Sequence, residues 1–525
     1  MYIKTSREPA KTFRPGAVGT AWLSWNKGTR PKCSELDLSD CRPIMMSVRT
    51  PATLRKQASQ ALLRNEDLAI SALEQLPMEL FPELFKEAFK GRHTRIVKAM
   101  VAAWPFPCLP VGTLMKTPDL ESFQAVLDAV DMQLARKFHP RREKIKELDL
   151  RKGRHDFWTI WTGTEDGDCS ESGDEERVVK VLPRYAVRRR LKVTVDLCLR
   201  PRLDEEQAYF LQWAQQRKGS LHLCCVRMKI WALPLCRIKE ILSVFHPRHI
   251  EDLELSMGWD VSTLALFASC LGQMRSLRKL SLARAYKNTI RTVNRTADRE
   301  EKCVRKLVSQ FSKLHCLQNL SMNGIYFLRD HVKQVLRCLR SPLETLSITG
   351  YLLSESDLND FPCCHSLCQL KHLDMRGVVL LALDPMPLRL LLETVAHSLQ
   401  SLDLQGCRME DTQLTLLTPA LSHCSQLTKV NLCDNAFSVP ILKELLLHTA
   451  NWIKMNGEQY PAPLECYDDF GYINTERFLH LCSVLTNALR AKRQPKRIIF
   501  ATDNCHKCGV RCIYDLVPRL CPCWQ

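Results

Sequence analysis

No run of 18 apolar residues occurs in the chain, so no segment is long enough for a bilayer-spanning helix. The start, Met1-Tyr-Ile-Lys-Thr-Ser-Arg7, lacks the apolar core of a secretory leader. A reducing compartment, cytoplasm or nucleus, is therefore expected, with no membrane partner. Catalytic signatures are missing too. There is no glycine-rich phosphate loop, no H-E-x-x-H pair and no G-x-S-x-G elbow. Zinc fingers, helix-turn-helix spacing and aromatic-basic RNA-binding stretches are also absent, which argues against direct nucleic-acid binding. These absences point away from enzymes and towards a protein that binds proteins.

What is present suits a packed fold. The 525 residues are 45% hydrophobic and 25% charged, enough for several folding units or one long repeat array. The net charge of +18 decorates a large surface and would suit an acidic partner. Cysteine is abundant, at 25 residues, but without a secretion route it does not read as a disulfide scaffold. The pairs Cys224/Cys225 and Cys363/Cys364 sit in apolar segments and read as small buried hydrophobes. The glycosylation sequons at Asn294 and Asn319 then carry no meaning.

Residues 1–46 are basic and aperiodic and read as a disordered extension. Residues 47–140 form a helical region, divided by Pro77 and Pro82, with a further helix over Asp119–Phe138. Residues 141–245 would flank a solenoid and include an acidic low-complexity loop at 163–177. Arg188, Arg189 and Arg190 follow; they fit a solvated strand edge or a nuclear-import signal.

The architecture is decided by one recurring pattern, L-x-x-L-x-L. It appears at Ile145–Leu150, Ile250–Leu255, Leu277–Leu282, Leu317–Met322, Leu343–Ile348, Leu370–Met375, Leu399–Leu404 and Leu427–Leu432. From Leu253 its central positions are spaced 27, 40, 26, 27, 29 and 28 residues apart. Five of these six periods lie in the leucine-rich-repeat range of about 20–29 residues. The 40-residue step contains a polar stretch, Tyr286–Lys302, read as an insertion loop. The fold class is therefore α/β: a leucine-rich-repeat solenoid (horseshoe) over 246–460, with an N-terminal helical segment and, over 461–525, a C-terminal repeat and Cys-rich cap.

Each repeat supplies a short strand and a helix and buries its apolar face only against neighbours. Leu253, Leu280, Leu320, Leu346, Leu373, Leu402 and Val430 should point inwards. The intervening residues should line a concave, target-binding sheet: Lys279, Ser281, Asn319, Ser321, Thr345, Ser347, His372, Asp374, Ser401, Asp403, Lys429 and Asn431. Cys407 and Asn435 occupy the ninth motif position, where a buried side chain can cap the turn.

The flanks carry a resemblance. Ala69-Ile-Ser-Ala-Leu-Glu-Gln-Leu-Pro-Met-Glu-Leu-Phe81, Trp104-Pro-Phe-Pro-Cys-Leu-Pro110, Leu148-Asp-Leu-Arg-Lys152 and His155-Asp-Phe-Trp158 resemble the PRAME family (preferentially expressed antigen in melanoma). Pro342-Leu-Glu-Thr-Leu-Ser-Ile348, Leu421-Ser-His-Cys-Ser-Gln-Leu427 and Tyr514-Asp-Leu516 extend the likeness, which runs from about Ser47 to Gln525. Met46-Ser-Val-Arg resembles the usual family start, and residues 1–45 depart from the pattern. The resemblance implies a substrate-recognition subunit of a cullin 2-type ubiquitin ligase, docked through elongin B/C and holding a target on its repeats for degradation. It also implies links to transcriptional repression, retinoic-acid signalling, proliferation, differentiation and survival.

An elongin-binding box would use Leu68, Ala72 and Leu76, four residues apart on one helix face, with Asp67 as helix cap. Pro77 and Leu80 follow as a degenerate cullin contact. An amphipathic helix packed on the first repeat explains the same residues. Leu76-Pro-Met-Glu-Leu-Phe81 with Phe85 and Trp104 also fits an F-box, which would change the scaffold but keep the adaptor role. Leu388-Arg-Leu-Leu-Leu392 and Leu442-Lys-Glu-Leu-Leu446 match the form read by nuclear receptors, although repeat helices need leucines there for their core. Two other readings remain: a corepressor without ubiquitin transfer, and a sequestering binder like ribonuclease inhibitor. At the C-terminus, Cys505, Cys508, Cys521 and Cys523 could form a tetrahedral zinc site, with His506 and Cys512 as spare ligands. The alternative is a cap with buried thiols.

Overall fold

The structure is a computed structural model and describes residues 54–115, 119–135, 145–153, 157–158, 190–256, 259–283 and 297–524. The basic extension, the acidic loop at 163–177, Arg188, Arg189 and Asn294 lie outside the described residues.

Among the described residues, fourteen strands form one sheet in chain order. The first four are β1 (Cys108–Pro110), β2 (Glu147–Asp149), β3 (Lys192–Leu199) and β4 (His222–Trp231). The repeats expected from the sequence supply β5 (Asp252–Ser256), β6 (Lys279–Ala283), β7 (Asn319–Asn323), β8 (Thr345–Thr349), β9 (His372–Asp374), β10 (Ser401–Asp403) and β11 (Lys429–Asn431). The sheet ends with β12 (Gly457–Pro461), β13 (Ile498–Ala501) and β14 (Ile513–Tyr514). All neighbouring pairs are parallel except β13 and β14. Towards the N-terminus the sheet runs past the expected bounds of 246–460, back to β1, while β13 falls in the region expected to hold a further repeat. Among the described residues, no helix is long and apolar enough to cross a membrane.

The repeat leucines form one in-register column: Leu253, Leu280, Leu320, Leu346, Leu373, Leu402 and Val430. All are essentially inaccessible to solvent. Burying each contributes about 1.5–3 kcal/mol, but only when both neighbouring repeats are in place. The helices of successive repeats pack beside one another over this column. Of the expected insertion, residues from Ala297 onward are already helix (Ala297–Phe311), because Val304, Leu307, Val308 and Phe311 give it a buried stripe.

Two devices turn each strand into the next segment. Gly324, Gly350, Gly377 and Gly406 recur with φ between 57° and 70°, a conformation costly for residues with a Cβ. Their amides continue the ladder, as in Gly377 N to Gln405 O at 2.8 Å and Gly406 N to Cys433 O at 2.9 Å. Asn435 is the expected cap. Its Nδ2 donates to the carbonyls of Leu404 and Leu432, both at 2.9 Å, and its Oδ1 accepts from Met409 N at 3.0 Å. Cys407 fills the same role more weakly, its thiol donating to Met375 O at 3.2 Å.

Both ends of the sheet are covered. Helices Phe81–Lys90 and Thr94–Ala103 bring Phe81, Phe85 and Trp104 against Phe106, Phe157 and Trp158. The indoles of Trp104 and Trp158 donate to Cys108 O and Pro110 O, at 3.0 and 2.8 Å, and so tie this cluster to β1. At the other end, the leucine column stops at β12, where Glu458 stands beside Val430. Glu458 is fully buried and takes two hydrogen bonds from Arg493, at 2.9 and 2.6 Å, and one from the Tyr460 hydroxyl at 2.8 Å. The thiols of Cys224, Cys225 and Cys364 are buried as expected, whereas Cys363, at a turn before β9, is exposed.

Replacing Glu458 with Ala strands the Arg493 guanidinium and should cost about 3–5 kcal/mol in chemical denaturation. The paired replacement Glu458→Leu with Arg493→Leu should recover most of that loss; a double variant no more stable than Glu458→Ala would contradict this account.

Candidate protein-binding face

The parallel register that buries the leucines turns the residues between them to the opposite face. Lys279, Asn319, Thr345, His372, Ser401 and Lys429 lie side by side in one row. Ser281, Ser321, Ser347, Asp374, Asp403 and Asn431 form the next. Lys279, His372 and Lys429 are exposed and the others half-buried. All twelve expected face residues are thus brought together.

A third row, just past the strands, was not read from the sequence. Arg376 makes two hydrogen bonds to Asp374, at 2.9 and 2.8 Å, and lies 3.6 Å from Asp403. Ser347 donates to Asp374 at 3.1 Å. Asn431 donates to Asp403 at 3.3 Å and to Gln405 at 3.0 Å. Gln405 donates to Asp434, which pairs with Arg511 at 3.1 Å. A connected polar network therefore crosses from β8 to the C-terminal cap. Part of its signal was available: Arg376 and Gln405 follow the central repeat positions Leu373 and Leu402 by three residues, whereas Asp434 follows Val430 by four.

The two central carboxyls differ. Burial opposes ionisation of Asp374, but hydrogen bonds from the Arg376 side chain, the Arg376 amide and Ser347 outweigh it and hold the carboxyl below its usual range. Burial dominates at Asp403, and the charge of Asp374 adds to it, so that carboxyl is raised despite donors from Gln405 and Asn431. One guanidinium shared unequally thus fixes a charge at Asp374 and leaves Asp403 easier to neutralise.

The same face continues N-terminally through ion pairs. Glu147 accepts from Lys192 at 3.0 Å and from Thr194 at 2.6 Å, and Asp149 pairs with Arg151 at 2.7 Å. Asp196 takes two hydrogen bonds from Arg227, at 2.9 and 2.6 Å, and Lys229 pairs with Glu254 at 2.7 Å. The period-two alternation of Lys192-Val-Thr-Val-Asp-Leu-Cys-Leu199 marks β3, but its departure from the repeat spacing hid its place in the sheet.

The expected docking residues fare differently. Asn65, not Asp67, caps helix Glu66–Ala72, its side chain accepting from Leu68 N; Asp67 pairs with Arg95 at 2.8 Å. Leu68 is exposed at 54% and Ala72 partly so. The helix ends at Ala72, so Leu76 does not share its face. Leu76 packs partly on the core, Pro77 is exposed, and Leu80 closes a short 3-10 turn, Met78–Leu80. Of the F-box residues, Phe81, Phe85 and Trp104 belong to the core. Leu388, Leu391 and Leu392, and likewise Leu442, Leu445 and Leu446, are buried, so neither receptor motif presents its leucines without unfolding a repeat helix.

The four C-terminal thiols converge as expected. The sulfurs of Cys505, Cys508, Cys521 and Cys523 all lie within 4.8 Å of one another, and those of Cys508 and Cys521 are 3.0 Å apart. Amide donors from Cys508 and Lys507 pull the Cys505 thiol down to about 6, whereas the neighbouring Cys508 pushes Cys521 up to about 12. This donor set could hold a metal ion. Cys512 does not join it; its buried sulfur accepts from Cys521 N at 3.2 Å.

Comparison with known proteins fits this geometry. The model of the PRAME N-terminal domain matches residues 51–158 and that of the PRAME C-terminal domain residues 191–523. The chain belongs to the PRAME family. Human PRAME family member 12 is 45% identical over 91% of this chain and 98% of its own length. Human PRAME family member 8 is 44% identical over 91% and 100%. Mouse oogenesin-3 is 41% identical over 92% and 96%. Among solved structures, the leucine-rich-repeat protein LegL7 of Legionella pneumophila aligns over 61% of this chain and 92% of its own, at 16% identity and a TM-score of 0.34. The Listeria monocytogenes internalin InlF covers 56% and 78%, at 13% identity and a TM-score of 0.29. The parallel strand array and buried leucine column make this PRAME-family chain a leucine-rich-repeat protein, with a Cys-rich C-terminus.

Because the folded state holds Asp374 below its ordinary value, the unfolded chain takes up the proton first and stability falls as pH drops through about 4. Arg376→Leu removes that depression. Melting curves between pH 6 and 3 should show a shallower acid loss attributable to this site in the variant; an identical slope would refute the assignment.

Proposed function

We propose that this PRAME-family chain is the target-holding adaptor of a cullin-RING ubiquitin ligase of the cullin 2 type. The observation that carries the proposal is the polar face of the sheet. Its side chains stand on rigid, hydrogen-bonded strands and are pre-paired from Glu147 to Arg511, so little ordering is needed when a protein surface arrives. Individual exposed ion pairs of this kind contribute only about 0–1 kcal/mol to stability, so they are better suited to recognition than to folding. Exposed Leu68, next to Ala72 on a capped helix, supplies an apolar contact for elongin C away from the strand face. The burial of both Leu-x-x-Leu-Leu motifs weighs against the nuclear-receptor reading. A sequestering binder would use the same face and leave the turnover of its target unchanged.

In the same proposal, Cys505, Cys508, Cys521 and Cys523 hold a structural zinc ion that pins the cap on β13. Tetrahedral Zn–S bonds of about 2.3 Å need sulfurs about 3.8 Å apart, within reach of this cluster.

Full-length protein used as bait should recover elongin C, and Leu68→Glu should abolish recovery while leaving the melting temperature unchanged. Recovery of the F-box adaptor would transfer the chain to the other scaffold; recovery of neither would refute the adaptor role. Purified protein should contain about one zinc per chain, and Cys521→Ser should lose it. Metal-free, equally stable protein would overturn the zinc assignment.

A further inference from the structure

Away from the polar face, three successive helix-to-strand turns surround a hollow of about 600 Å³. Arg248 comes from the turn before β5, Arg275 from the turn before β6, and Lys313 from the turn before β7. Lys306, on helix Ala297–Phe311, completes a wall of four exposed cations, and no carboxylate lines the hollow. Along the polar face, by contrast, cations stand beside carboxylates, as Arg151 does with Asp149 and Arg227 with Asp196. Among the described residues, none of the four has an ion-pair partner. Lys313 is held by Gln310, its ammonium donating to Oε1 at 2.9 Å. Gly272 leaves room for that arrangement: a Cβ there would sit 2.3 Å from the same oxygen.

The unpaired charge is felt by its neighbours. Arg248 donates to Nε2 of His249 at 3.4 Å, which requires a neutral acceptor nitrogen. Burial first, and then His222 and Arg248, push the His249 imidazole down to about 4. The same positive surroundings weigh against a metal cation between His222, Cys224 and His249, whose ligand atoms lie within 4.8 Å of one another.

Four like charges held around one cavity raise the local potential, and an anion that spans them relieves it. Guanidiniums grip phosphate oxygens in pairs, and ammoniums serve as movable point charges. A volume of this size suits a small molecule, whereas nucleic acid needs an extended basic track. We propose that this hollow binds a small soluble anion carrying several closely spaced phosphates, at a site separate from the target-holding face.

Tripolyphosphate titrated into the full-length protein by calorimetry should saturate at one per chain and bind at least tenfold more tightly than inorganic phosphate. Arg275→Glu with Lys313→Glu should weaken it at least tenfold without changing the melting temperature of the ligand-free protein. The face variant Arg376→Glu should bind it normally. No saturation, equal binding of inorganic phosphate, or equal weakening by Arg376→Glu would each overturn the site. Tighter binding of a single-stranded RNA 12-mer that depends on Arg275 and Lys313 would overturn the small-anion assignment in favour of a nucleic-acid track.

Discussion

The leucine column at the centre of the sheet gains its burial only collectively. Leu346 is shielded by Leu320 on one side and Leu373 on the other, and no repeat buries its own apolar face. That mutual dependence fixes the parallel register, and the register fixes everything on the opposite face. A slip of one residue would turn Asp374 and Asp403 inwards and expose Leu373 and Leu402. The polar face is therefore a consequence of core packing and costs little separate organisation.

A stacked array has two open edges, and each is closed by different chemistry. At β1, indole donors and packed aromatic rings cover the strand. At the far end, the apolar column gives way to the buried pair of Glu458 and Arg493, and the chain then reverses into antiparallel β14. A buried ion pair is a weak source of stability but a strict one for geometry, because either partner alone is heavily penalised. It sets the point where the column stops, and the thiol cluster lies just beyond it.

Two polar surfaces follow from this division. Most charges on the strand face stand beside an opposite charge, as Arg376 does between Asp374 and Asp403 and Arg227 beside Asp196. Among the described residues, Arg248, Arg275, Lys306 and Lys313 around the hollow have no such partner, and that asymmetry sets the hollow apart chemically from the face. The N-terminal helices serve the core with Phe81, Phe85 and Trp104 while leaving Leu68 free.

The sequence by itself determined the seven central strands, because their spacing and leucines repeat in a fixed phase, and it determined the twelve face residues, because side chains alternate strictly along a strand. It also brought the four C-terminal cysteines under notice through their close pairing. Only the tertiary structure decided the rest. Of the early strands, β2 carries the motif at Ile145–Leu150, but β1, β3 and β4 lack it, so their place in the sheet depended on pairing partners far along the chain. The docking box failed as a single helix because the chain leaves helical geometry after Ala72, which spacing alone did not reveal. Arg376, Glu458 and the cations of the turns have roles set by what stands beside them, and those neighbours are remote in sequence.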